Sequence, residues 1–99
     1  MADFYSESID RLFRAVVNLE SVEEAYSFFS DVCTIKEIQD MAQRLDAAFL
    51  LAEGKNYQTI SKTVGISTAT ISRVSRCLNY GPGGYADAIR KLTERQNDE

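Results

Sequence analysis

Apolar side chains recur at intervals of three and four along most of the chain, and no stretch shows the strict alternation of a half-buried strand. An all-α fold is predicted. Ser8 or a nearby residue opens a first helix with Ile9, Leu12, Phe13, Val16 and Val17 on one face. Ser21, followed three residues later by Glu24, makes a capping box for a second helix carrying Val22, Ala25, Tyr26, Phe28 and Phe29. Thr34 and Glu37 repeat that spacing ahead of a long helix ending at Gly54, whose apolar stripe is Ile35, Ile38, Met41, Ala42, Leu45, Ala48, Phe49 and Ala52. Asn56 is placed to cap a short helix. Beyond the turn at Gly81, Pro82, Gly83 and Gly84, a last amphipathic segment over 85–96 presents Tyr85, Ala88, Ile89 and Leu92, and its polar end from Thr93 is expected to fray.

The stretch from Tyr57 to Arg76, YQTISKTVGISTATISRVSR, has the pattern of a helix-turn-helix. Two short helices crossing through a tight turn need apolar groups at their contact, and Ile60, Val64, Ile66, Ile71 and Val74 fall at those points. Ser61 is small where the helices approach. Gly65 falls where the backbone must turn left-handed, a conformation only glycine takes without a Cβ penalty. Ser67 offers a hydroxyl to cap the second helix. Its outward positions, Thr68, Ala69, Thr70, Ser72, Arg73 and Arg76, are short or basic, as entry into a DNA groove requires. With Gln58, Ser61, Lys62 and Ser67 they form the candidate DNA-binding set. A purely structural helical hairpin also uses a glycine turn, but apolar spacing, glycine, capping serine and local charge all favour the DNA reading.

The net charge of −4 speaks against nucleic acid until it is divided along the chain. Residues 1–53 carry eleven acidic and four basic side chains, whereas 54–79 carry Lys55, Lys62, Arg73 and Arg76 with no carboxylate. An acidic protein thus keeps one segment free of the groups that phosphates would repel. A length of 99 residues fits a single domain. No apolar run is long enough for a membrane helix, and Met1, Ala2, Asp3 and Phe4 lack a signal-peptide pattern, so a cytoplasmic protein is expected. Histidine is absent, and Cys33 and Cys77 are too isolated for a zinc site; both are expected to be small buried hydrophobes. The Gly-rich turn lacks the Lys-Ser/Thr of a phosphate loop. No enzyme, metal or cofactor is indicated.

From Thr34 to Leu78 the chain resembles the tryptophan repressor family, and most its small YerC/YecD-type branch, through TIKEIQDMAQRLDAAFLLAEG and VGISTATISRVSR. The resemblance implies a six-helix subunit in an intertwined homodimer. Dimerisation and core helices would fill 1–53, the helix-turn-helix 56–79 and a C-terminal helix 85–96. It also implies a regulator, expected to be a repressor, that binds an operator in double-stranded DNA. An alternative reading is a helical protein–protein interaction module in which the helix-turn-helix is only scaffold.

In the family's tryptophan sensors a co-repressor ring lies between two arginines, which the resemblance matches to Arg44 and Arg73, with Thr34 and Thr70 as pocket threonines. A small-molecule co-repressor such as an amino acid is therefore a further expectation. Two positions depart from the sensors' pattern: Val74 stands for a glycine and Cys77 for a serine. An isopropyl group would fill space that an indole needs, and a thiol is a weaker hydrogen-bonding group than a hydroxyl, so tryptophan is not the expected ligand. Arg44 could instead pair with Asp40 or Asp46 on the helix surface. For Arg73, phosphate, base edge and ligand all remain open.

Overall fold

The computed structural model describes residues 4–97, with side chains through residue 95. The reading of the extreme N-terminus falls largely, and that of the last two residues of the polar tail wholly, outside this range. Among the described residues there are six helices and no strand: α1 (Glu7–Val17), α2 (Val22–Val32), α3 (Ile35–Ala52), α4 (Tyr57–Val64), α5 (Thr68–Tyr80) and α6 (Gly84–Asn97).

Short polar side chains set the helix starts. Ser6, Ser21, Asn56 and Ser67 each hold an extended backbone and accept the N–H three residues on, from Ile9, Glu24, Thr59 and Thr70 respectively. The first helix is therefore capped by Ser6, and Ser8 lies inside its first turn. Ser8 also has a serine-like cap chemistry, but only Ser6 has the non-helical backbone that aims a hydroxyl back at the free N–H groups. At α3 the capping box is complete: Thr34 Oγ1 accepts the Glu37 N–H at 3.1 Å, and Glu37 Oε1 accepts the Thr34 N–H at 2.8 Å.

The chain divides into two compact units, residues 1–38 and 39–99, with the boundary inside α3. In the first unit α1 and α2 contain no buried residue. Their apolar faces stand in water: Phe13, Val17, Val22, Tyr26 and Val32 are all more than half exposed. A shallow, almost wholly apolar recess of about 210 Å³ is lined there by Val22, Ala25, Tyr26, Phe29 and Ile38.

The second unit has a core. Ala47, Ala48, Ile60, Ile71 and Val74 are fully removed from water, and Leu50, Leu51, Val64, Ile66, Tyr85 and Ile89 pack around them. The five expected contact residues of the helix-turn-helix thus all lie in or against this cluster. On α3 the buried pair is Ala47 and Ala48, of which the apolar stripe read from the sequence included only Ala48. Small side chains at adjacent positions widen the face that other helices can approach. Burying each Ile or Val here contributes about 1.5–3 kcal/mol.

At the end of α5, Gly81 N–H donates to the Cys77 carbonyl at 2.9 Å, and any Cβ on Gly81 would collide with that same oxygen. Helix α6 starts at Gly84 and runs to Asn97, taking in the polar residues from Thr93. Arg90 pairs with Asp87 at 3.6 Å and with Glu94 at 3.4 Å, which supports the exposed turns that apolar packing does not reach. The cysteines also differ from expectation, since Cys33 is half-buried and Cys77 exposed. Cys33 ends α2, a helix with no buried residue, and Cys77 lies beyond the core-facing line of Ile71, Val74 and Leu78.

Candidate nucleic-acid interface

Helices α4 and α5 pack against each other across residues 65–67. Gly65 takes φ 84° and ψ 33°, and its N–H donates to the Ser61 carbonyl at 2.9 Å, closing α4. Ser61 Oγ, half-buried, donates to the Ile66 carbonyl at 2.6 Å. From α3, Gln43 Nε2 donates to the Val64 carbonyl at 3.3 Å. Ser67 Oγ then accepts the Thr70 N–H at 3.1 Å and lies 3.0 Å from Thr70 Oγ1. Each backbone segment of the turn is thereby tied by a named side chain.

This turn decides which face of α5 looks outward. At about 100° per residue, Thr68, Ala69, Ser72, Arg73 and Arg76 share an arc of roughly 140° opposite Ile71, Val74 and Leu78. The five are exposed, whereas Ile71 and Val74 are buried. No acidic residue occupies the first turn of α5, so its positive dipole end faces no carboxylate of its own helix, although the Thr70 N–H there is already capped by Ser67. Gln58 and Lys62 on α4 are exposed as well. Of the candidate DNA-binding residues, Thr70 and Ser61 differ from the rest in being half-buried and engaged in the turn.

Beside α5 lies a recess of about 220 Å³, lined by Asp40, Gln43, Arg44, Ile66, Thr70 and Arg73. The structure therefore brings three of the candidate ligand residues together, Arg44, Thr70 and Arg73. Val74 and Cys77 do not line it. The Val74 side chain is enclosed in the core, and Cys77 opens on a separate recess with Pro82, Gly84 and Tyr85. Thr34 belongs to the first unit, where its hydroxyl caps α3. Nothing in the sequence marks Gln43, because a glutamine on a helix reads as solvated surface; its contact with Val64 spans 21 residues. Among the described residues no group of carboxylates and thiols could hold a metal ion, and no helix is long and apolar enough to cross a membrane.

A short helix pair locked by a left-handed glycine, with a carboxylate-free outward face on the second helix, defines a helical domain of the helix-turn-helix DNA-binding class. The chain belongs to the Trp repressor family, whose model, described as Trp repressor protein, matches residues 7–93. Over 92 residues it is 48% identical to the uncharacterized protein YerC of Bacillus subtilis (strain 168), spanning 93% of this chain and 88% of that one. The crystal structure of a TrpR like protein from Eubacterium eligens ATCC 27750 superposes with a TM-score of 0.86 at 45% identity, covering 89% of this chain and 91% of that one. A solved structure from Staphylococcus aureus gives a TM-score of 0.86 at 43% identity, covering 90% and 89%. The family consists of DNA-binding regulators and not of enzymes.

Proposed function

We propose that this protein is a homodimeric repressor of transcription that acts in the cytoplasm, reads an operator in double-stranded DNA with α5, and is gated by a small metabolite. The observation that carries the DNA reading is the outward arc of α5, where Thr68, Ala69, Ser72, Arg73 and Arg76 are exposed and no carboxylate intrudes. Short side chains let a helix approach base edges, while Lys62, Arg73 and Arg76 supply charge for the phosphates on either side. Titration against duplex DNA at low and raised salt tests it. Affinity falling linearly on logarithmic axes with salt supports the reading; weak, salt-independent association would point instead to a helical interaction module.

Dimerisation is supported by the uncovered faces of α1 and α2, since a monomer rarely leaves so contiguous an apolar surface in water. Gating is supported by the recess on α3 and α5. Two guanidinium groups, a carboxylate, an amide and a hydroxyl around about 220 Å³ suit a small zwitterion such as an amino acid, and the volume falls below that of a drug-sized site. Calorimetric titration with a panel of amino acids, tryptophan included, checks this part. Silence across the panel would leave a constitutive DNA binder.

A further inference from the structure

Two half-buried side chains, whose polar groups are engaged by backbone carbonyls, hold the turn ahead of α5. Gln43 donates to the Val64 carbonyl at 3.3 Å and Ser61 to the Ile66 carbonyl at 2.6 Å, so the residues before and after Gly65 are each fastened from a different helix. We infer that Gln43, acting through the Val64 carbonyl together with the Ser61 clamp, is a positioning residue that sets how sharply α5 discriminates one DNA sequence from another. The inference rests on the DNA-binding reading of α5.

The physical argument starts from the shortness of the connection. Only residues 65–67 separate α4 from α5, so a shift at Val64 or Ile66 passes directly to Thr68 and Ala69 in the first turn of α5. Val64 and Ile66 are half-buried and pack on the core, and their carbonyls lie where the ladder of α4 has ended. Without the amide or the hydroxyl these acceptors must seek water, and the turn relaxes toward it.

The two kinds of DNA contact respond differently to that relaxation. Hydrogen bonds to base edges weaken steeply with small changes in distance and angle. Long Lys and Arg side chains reach phosphates over a range of geometries and carry most of the sequence-independent affinity. Loosening the turn therefore erodes discrimination before it erodes binding.

The test compares affinity for a duplex selected from a random pool by the unmodified protein with affinity for a scrambled duplex of the same composition. In Gln43→Leu the selected-to-scrambled ratio is expected to contract about tenfold, the scale of losing one partly buried hydrogen bond. Ser61→Ala should contract it similarly, and Ser61→Thr, which keeps a donor hydroxyl, should restore it. A merely structural role would lower both affinities together with the folded fraction, monitored by thermal melting, and leave the ratio unchanged. If Gln43→Leu fails to fold, the Ser61→Ala and Ser61→Thr pair decides by the same ratio. An unchanged ratio in folded variants overturns the inference alone. No salt-dependent duplex binding by the unmodified protein overturns the DNA reading and the inference with it.

Discussion

Between residues 39 and 97 five side chains are fully buried and two helices meet through a turn tied by Ser61, Gln43 and Gly65, whereas α1 and α2 bury nothing. Yet the helical periodicity of α1 is as clear as that of α4 or α5. Amphipathic spacing shows that a face must be covered. It does not show what covers it. In the second unit the cover comes from the same chain, in Ala47, Ala48, Ile60, Ile71 and Val74. In the first, Tyr26 remains 72% exposed and Val17 78% exposed, and a second copy of the chain is their proposed cover.

The largest effects should come from the covered region. Ile71→Ala opens a void in the core beneath the reading face and should cost about 2–5 kcal/mol, seen as a lower midpoint in thermal or urea unfolding. The contrast with the first unit can then be broken directly. On a lone chain, Tyr26→Asp would be a surface change worth at most about 0.5 kcal/mol. If a second copy covers that face, a charge is placed in an apolar interface, and the association constant measured by sedimentation should fall by roughly 2–3 kcal/mol. Gly65→Ala forces a Cβ into a left-handed turn and should cost about 1–2 kcal/mol in unfolding experiments, although nothing lies within 4 Å of the added carbon. Arg76→Ala is expected to leave stability nearly unchanged and to lower the slope of affinity against salt by about one unit, because the residue is exposed and faces phosphate in the proposed complex.

Much of the fold is legible in residue types because local chemistry determines it. Ser21, Asn56, Ser67, Gly65 and the Thr34–Glu37 box stand where their capping or left-handed roles require them, and Ile60, Ile71 and Val74 sit where two crossing helices meet. The first helix start is legible only to within a turn, because Ser6 and Ser8 have the same side chain and backbone geometry alone makes Ser6 the cap. The recess was half legible. Arg44, Thr70 and Arg73 line one recess, but Val74 turns into the core and Cys77 toward Pro82 and Tyr85. Facing direction around a helix depends on which neighbours pack beside it, and spacing alone leaves a residue such as Val74 able to serve either core or pocket. Gln43 carried no local signal, since its partner lies 21 residues away.

In the proposed dimer, the uncovered faces of α1 and α2 would pair two chains, and two copies of α5 would then meet one side of a duplex. A footprint of the unmodified protein on its selected duplex tests this most directly. A dimer of this kind should protect two symmetric half-sites centred about 34 Å apart, one helical turn of DNA. A single isolated half-site, or uniform protection that ignores sequence, would contradict it.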